Sequence, residues 1–387
     1  MRKFIKYAIR AILLLAVILA AVAFWQREKI TRLMAVNSLF AQEKIVNNFS
    51  HMDTMFLTRP LSRGDAAVSP LPIGTAATPP DGVEGWIKAR SITSLVVMKD
   101  GQIVAENYFL ETNADDLRIS WSVAKSFLSA LFGIVMAEGH IASLDDPVTK
   151  YAPSLAGSAY DGATIRNVLN MASGVRFNED YLDFYSDINR MGRVLALGWS
   201  MDGFAAGIND RQYEPGKTWQ YVSIDTHVIG MVIRGATGRN IPELLEEKIL
   251  APLGLQAAPY YVTDGDGVAF VLGGLNLTTR DYARFGQMFL NNGRWNEVQI
   301  VPSDWVHIST RTSAPTAAGA IGYGYQWWVP QGAIEGEFMA RGIYGQYIYV
   351  NRPLGVVIAT TAADRKFRDP GVADENIAMF RLIAGAI

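Results

Sequence analysis

Strand character appears at two places far apart in this chain, and that separation restricts the fold more than any other feature of the sequence. Ile92-Thr-Ser-Leu-Val-Val-Met98 and Gln102-Ile-Val-Ala-Glu-Asn-Tyr-Phe109 lie on either side of Asp100-Gly101. Runs of β-branched and aromatic residues flanking an Asp-Gly pair predict a β-hairpin. Comparable runs return only in the last third, over 324–329, 343–350 and 356–361, with the Asn351-Arg-Pro-Leu-Gly355 turn between the last two. Between the two groups the pattern is helical, over 122–138, 164–172, 190–205, 224–236, 240–252 and 280–292, the last four with apolar residues at three- and four-residue spacing. A final apolar helix is predicted from 374 to 387. Strands at both ends with helices between them predict an α+β fold, with one antiparallel sheet assembled from distant segments and a large helical insertion. The sequence has no internal repeat.

Composition removes several classes of function. A formal net charge of −2 over 387 residues disfavours nucleic acid as a partner. The absence of cysteine excludes disulfide frameworks, Cys-ligated zinc, iron–sulfur clusters and thiol nucleophiles. The four histidines, His51, His140, His227 and His307, are too scattered to make a ligand cluster by spacing. Neither a metal nor an organic cofactor is therefore expected.

Arg2, Lys3, Lys6 and Arg10 precede a stretch without charge that runs to residue 26. A basic flank before an apolar block is the composition of an export signal. Counted from Phe4, with Lys6 and Arg10 snorkelling, about 20 residues are available, enough to span about 30 Å of hydrocarbon. The positive-inside rule then leaves the short N-terminus in the cytoplasm and the rest of a single-pass protein outside, in the periplasm. Ala21-Val-Ala23 offers the alternative of cleavage and secretion, whereas Phe24, Trp25 and the polar residues after them favour a retained anchor. The expected organisation is a transmembrane anchor over 1–30, a connector or lid over 31–85 with turn signals at Pro70-Leu-Pro72 and Thr78-Pro-Pro80-Asp-Gly82, and one large domain over 86–387.

Candidate chemistry begins at Ser122-Val-Ala-Lys125, where a serine opens an apolar helix and a lysine follows three residues later. Positions i and i+3 share a helix face, so the amine can lie beside the hydroxyl. Burial would lower the lysine pKa enough for it to accept the serine proton, and the helix start offers free N–H groups to an oxyanion. The bland alternative is Ser122 as an N-cap with Lys125 on a solvated face. Two further elements follow in order: Tyr221-Val-Ser223 after Tyr213-Glu-Pro-Gly216, in front of an apolar helix, and Arg341-Gly-Ile-Tyr-Gly-Gln346 leading into a strand.

With these three motifs, and with Thr164-Ile-Arg-Asn-Val-Leu-Asn-Met-Ala-Ser-Gly174, Glu179-Asp-Tyr181, Gly273-Gly-Leu-Asn-Leu-Thr-Thr279 and Gly322-Tyr-Gly-Tyr-Gln-Trp-Trp328, the chain resembles the serine hydrolases of the β-lactamase and penicillin-binding-protein superfamily. The resemblance covers about residues 85–387 and points to the class C-like esterase branch, of the 6-aminohexanoate-dimer hydrolase type. It implies a β-lactamase/transpeptidase-like fold, Ser122 as the acyl-forming nucleophile, Lys125 as its base, and Tyr221 as the relay of the proton to the leaving group. It also implies an oxyanion hole from the N–H groups of Ser122 and of Ile343 on an edge strand, with Tyr181, Ser223, Gly342 and Tyr344 facing a small-molecule substrate. Tyr-Val-Ser stands where many relatives carry Tyr-x-Asn, and Arg-Gly-Ile where the β-lactam-binding enzymes carry Lys-Thr-Gly. With Arg341 pointing outward, the grip on a substrate carboxylate is lost, which favours ester or linear amide hydrolysis over β-lactam or peptidoglycan chemistry. The alternatives are a catalytically silent envelope-binding or scaffold relative and a true β-lactamase or peptidase.

The remaining candidates have plainer readings. Pro215-Gly-Lys-Thr218 is a turn, Tyr349-Val-Asn351 a strand end, Asp264-Gly-Asp-Gly267 a loop tip, His227 a structural residue, and Trp327-Trp328 core and cleft wall. Asp183 and Asp187 are read as solvated surface, with contact to a substrate amine as the alternative.

Overall fold

The computed structural model describes residues 2–387. In chain order its strands are β1 (Leu57–Pro60), β2 (Ile92–Lys99), β3 (Gln102–Tyr108), β4 (Arg118–Ile119), β5 (Tyr260–Thr263), β6 (Leu275–Leu277), β7 (Arg294–Trp295), β8 (Val298–Gln299), β9 (Gly322–Gly324), β10 (Trp327–Val329), β11 (Glu337–Gly342), β12 (Gln346–Asn351) and β13 (Val356–Ala362). The helices that position the site are α1 (Arg2–Trp25), α2 (Arg27–Asn37), α3 (Val83–Ala89), α4 (Ala124–Ala137), α5 (Asp187–Leu197), α6 (Ser223–Thr237), α7 (Thr279–Leu290) and α8 (Val372–Ala386).

The Asp-Gly pair makes the predicted hairpin, with Asp100 at φ 47° and Gly101 at φ 80°, the left-handed conformations such a turn requires. The hairpin then pairs with the last strand of the chain, Val97 facing Ile358, in a seven-stranded antiparallel sheet of order β3-β2-β13-β12-β11-β10-β9. The sheet is thus built from both ends of the region with the helices inserted between, a β-lactamase/transpeptidase-like architecture. All residues of β2 except Lys99 are buried, because the sheet is covered on both faces. On one face lies α7, with Phe285 stacked on Phe127 of α4 at 3.6 Å between ring centroids. On the other, Val83, Trp86, Val97, Ile358, Phe380 and Ile383 form a second core against α3 and α8.

Local pattern misplaced three pieces. The run at 324–329 is a tight hairpin, since Tyr325 and Gln326 take φ of 35° and 74° between β9 and β10. Strand β11 was not predicted, and residues 343–345, expected to open the next strand, form a 3-10 turn in which Tyr344 has φ 59°. The helix expected over 240–252 is interrupted by a π-helical turn at Glu246–Leu250.

The segment expected as a connector packs into the main core. Leu39, Ile45, Phe49, Met52, Met55, Phe56 and Leu61 are all buried there. β1 pairs with β5 in a second sheet of order β1-β5-β6-β4. Arg118 of β4 ties this segment down: its guanidinium donates to the Val46 carbonyl (2.7 Å), Ser50 Oγ (2.8 Å) and Thr93 Oγ1 (3.3 Å). Ahead of it, Lys3–Trp25 is a fully exposed helix long and apolar enough to cross a membrane, a property that an export signal and an anchor share.

Helix α7 approaches the sheet through Gly286, where an added Cβ would stand 2.6 Å from both Ile348 Cγ2 and Val357 Cγ1. Gly286→Val should therefore force the helix off the sheet and cost about 1–3 kcal/mol. The expected result is a lower urea midpoint at an unchanged slope; an unchanged midpoint would show that the contact gives way freely.

Candidate active site

Ser122 sits on a 3-10 turn, Trp121–Val123, that runs directly into α4. The turn is strained, because Trp121 takes φ 42°; a non-glycine residue there costs on the order of 1–3 kcal/mol and persists only where packing imposes it. The packing is aromatic. The Trp121 indole lies 5.5 Å from Phe49 and 5.8 Å from Phe40, both in the N-terminal segment, and 6.4 Å from Tyr344. Rings from three remote parts of the chain thereby hold the serine half-exposed at the helix start while the residues after it enter the core.

Lys125 is 1% exposed, which rules out the solvated face. Its Nζ donates to the Leu272 carbonyl (3.2 Å) and more weakly to that of Ser223 (3.5 Å), and lies 5.5 Å from the centroid of the Tyr221 ring. Burial pushes the ammonium down to about 7, against the opposing pull of Glu179 and Asp225. An amine in that range is half neutral near neutral pH and can accept a proton. Ser122 and Tyr221 border the same cavity.

Tyr221 lies just before α6 and stacks on Trp328, 5.3 Å between centroids and 27° between planes. Burial and then the negative charge of Glu179 raise its pKa well above the ordinary phenol range, opposed by hydrogen bonds from Ser122 and Ser223 and by the Arg341 cation. It is therefore a phenol that holds its proton until an acceptor stronger than water is in front of it. Glu179 fixes the surroundings: its carboxylate accepts from the Ser223 backbone N–H at 3.0 Å, from the Ser223 hydroxyl, and from the Tyr181 hydroxyl at 2.6 Å. A carboxylate on the first turn of α6 also opposes the positive end of the helix dipole. In the same first turn, Asp225 is fully buried and accepts from Tyr160 (2.7 Å) and Ser173 (2.9 Å), while its second oxygen has no partner. Burial pushes this carboxyl up to about 7.

Ile343 is on the 3-10 turn after β11 and not on an edge strand, since β11 lies inside the sheet between β12 and β10. What frees it is that β10 pairs with β11 only at Trp328 and Met339, so the end of β11 is open toward Ser122. Gly342 makes that approach possible, because a Cβ there would stand 2.7 Å from the Ser120 carbonyl and 3.2 Å from the Ser122 nitrogen. Arg341, expected to point outward, instead borders the cleft beside Ser122 and Tyr221. The Trp328 face holds its guanidinium there, 5.3 Å from the ring centroid. Of the other expected residues, Tyr181 lines the cleft with its hydroxyl given to Glu179, Ser223 is buried and likewise committed to Glu179, and Tyr344 is buried between Phe40 and Phe367.

Two cavities share Ser122, Tyr181 and Ile343. One is polar and bordered by Glu179, Tyr221, Trp328, Arg341 and Gly342. The other is apolar and reaches back to Phe40, Met52 and Phe56 of the N-terminal segment. Among the described residues no group of three or more His, Asp or Glu is placed to hold a metal.

A family model described as beta-lactamase matches residues 87–379. This chain belongs to the beta-lactamase family. The 6-aminohexanoate-dimer hydrolase of Paenarthrobacter ureafaciens is 29% identical over 320 residues, covering 78% of this chain and 81% of that protein. Among solved structures, a provisional 6-aminohexanoate-dimer hydrolase from Bacillus anthracis superposes with a TM-score of 0.79 at 24% identity, over 89% of this chain and 95% of the other. A family VIII carboxylesterase superposes at 0.58 and 15% identity, over 81% and 99%. The family match and the Paenarthrobacter ureafaciens relative make the chain a hydrolase of the beta-lactamase family.

Sequence reasoning did not assign roles to Glu179, Asp225 or Arg341. Glu179-Asp-Tyr181 stood out only as part of the resemblance, and the acidic residue two positions after Ser223 was the one signal that pointed at Asp225. Because Asp225 raises the Lys125 pKa, Asp225→Asn should lower it, leaving the amine neutral at lower pH. Asparagine still offers an oxygen to Tyr160 and Ser173. The rate in this family member should rise with pH through an apparent pKa near 7 that belongs to the coupled pair, and the acid limb of kcat/KM should move to lower pH in the variant. A limb that stays in place would remove Lys125 as the titrating group.

Proposed function

We propose that this chain is a serine hydrolase that cleaves carboxylic esters or linear amides through an acyl-enzyme on Ser122. The observation that carries the reading is the burial of Lys125 beneath Tyr221, three residues after a half-exposed serine at a helix start. Ser122 Oγ attacks the substrate carbonyl carbon as its proton passes to neutral Lys125. The oxyanion is met by the N–H groups of Ser122 and Ile343. Collapse of the tetrahedral intermediate breaks the bond to the leaving alkoxide or amine, which takes a proton from Tyr221, and Tyr221 is replenished from the Lys125 ammonium. Water then attacks the acyl-enzyme by the reverse relay and releases the acid. The raised phenol pKa suits this role, because Tyr221 gives up its proton only to a strongly basic leaving group. No cofactor takes part in these steps. The apolar helix at Lys3–Trp25 supports a membrane-anchored enzyme with its catalytic part on the outer side.

Arg341 favours a refinement of substrate class. Among the described residues it makes no ion pair, and it stands in the polar cavity with Tyr221. A cation at that point suits a leaving group that carries a carboxylate, a feature of the amide named for the 6-aminohexanoate-dimer hydrolase.

Ser122→Ala should abolish both turnover and fluorophosphonate labelling with the thermal midpoint nearly unchanged. Lys125→Arg should remain about 10²–10⁴-fold below wild type, because a guanidinium stays protonated. Labelling that survives in the alanine variant, or activity restored by arginine, would move the nucleophile or the base elsewhere.

Arg341→Ala should raise KM about ten- to a hundredfold for an ester whose alcohol bears a carboxylate, the loss of a charge-assisted hydrogen bond, and change the neutral analogue only a few-fold. Equal effects on both substrates would return Arg341 to the role of cleft wall.

A further inference from the structure

The apolar cavity behind Ser122 has a volume of about 300 Å³ and is not explained by the steps above. Its wall includes Phe40, Met52, Phe56, Ile188, Leu195 and Leu272. The first three come from a segment that precedes the family match at residue 87, so this part of the cavity lies outside the matched domain. We propose that the cavity is the acyl site and takes an unbranched hydrocarbon chain, which makes esters or amides of medium-chain fatty acids the substrate class. The proposal rests on the acyl-enzyme reading given above.

Three observations assign the cavity to the acyl side. Tyr221, which protonates the leaving group, borders only the polar cavity. The leaving group therefore lies there, with Arg341, and the acyl chain is left with the other space that opens at Ser122. That space has no carboxylate on its wall, so a chain ending in an ammonium group would find no counter-ion. Its one charged residue, Arg193, is already engaged: it donates to the Phe184 carbonyl at 2.7 Å, and its guanidinium lies 4.3 Å from the Phe184 ring centroid. A wall mainly of aliphatic and aromatic side chains, with Asn37 and Asn189 among its polar members and no free charge, recognises a chain chiefly by removing its methylene groups from water.

Gly192 on α5 borders this cavity, and a Cβ built there meets no atom within 4 Å. A larger residue at 192 can therefore grow into the cavity without disturbing the helix. The test uses the full-length protein in detergent with p-nitrophenyl acetate, butanoate and octanoate, which share one leaving group. We expect kcat/KM to rise at least tenfold from acetate to octanoate, and an 8-aminooctanoate ester to be at least tenfold poorer than octanoate. Gly192→Phe should lower the octanoate-to-acetate ratio at least tenfold. A flat or falling chain-length profile in protein whose Ser122 is still labelled by a fluorophosphonate overturns the acyl-site assignment and leaves the hydrolase reading standing. Decanoate binding to Ser122→Ala, followed by displacement of a fluorescent fatty acid, separates the two further: binding that is lost when Gly192→Phe is added supports the assignment even if no ester is turned over, an outcome that would instead overturn the acyl-enzyme reading. Absence of decanoate binding overturns the proposal.

Discussion

A buried ammonium has to be surrounded by oxygen atoms, and at Lys125 those atoms come from two other parts of the chain. The carbonyls of Ser223 and Leu272 accept from it, and the Tyr221 ring covers it. The start of α4, the start of α6 and the loop before β6 must therefore converge on one nitrogen, at an energetic cost that falls if the lysine loses its charge. The same convergence brings Ser122 and Tyr221 to one cavity and sets Glu179 across the first turn of α6. Folding stability and proton-transfer capacity are thus tied to a single desolvated group: the burial that makes the lysine costly is what makes it a base near neutral pH.

How much of this the sequence disclosed follows from the range of the interactions involved. The hairpin at Asp100-Gly101, the helix after Ser122 and the helix after Tyr221 are local patterns, and each was readable within a window of about a dozen residues. The sheet's composition from both ends was readable because strand-like runs are scarce elsewhere. Strand β11 was not, since Glu337-Phe-Met-Ala-Arg-Gly lacks alternation: its residues are covered on both faces of an interior strand. Ile343 was placed on an edge strand by the family resemblance, whereas the positive φ of Tyr344 turns the chain there. Arg341 was expected to face outward on the strength of its glycine neighbour, and it is the Trp328 indole, thirteen positions earlier, that draws it over the cleft. Glu179 reaches the backbone of Ser223, 44 residues on, and Asp225 the hydroxyl of Tyr160, 65 residues back, and no spacing rule reaches that far.

The N-terminal segment shows the same limit in a larger form. Turn signals and mixed composition suggested a connector, yet residues 39–61 supply buried side chains to the main core, a strand to the second sheet and a wall to the apolar cavity. Its hydrophobic residues are too few and too irregularly spaced to announce an element by themselves. They are buried because β1 finds β5 some two hundred residues later and because Arg118 has carbonyl and hydroxyl partners on both sides of it.

The strained turn at Trp121 has a consequence in time. Its aromatic seat needs Phe40 and Phe49, which leave the ribosome early, and Tyr344, which comes almost at the end of the chain. Until that last ring arrives nothing on the C-terminal side holds the indole, and the turn is free to relax to the unstrained conformations that L-residues prefer. Ile343, proposed as an oxyanion donor, lies in the same stretch. A chain synthesised only as far as β11 therefore carries Ser122 and Lys125 without the full aromatic seat of the Trp121 turn, and the geometry proposed for catalysis forms only after Tyr344 has been added.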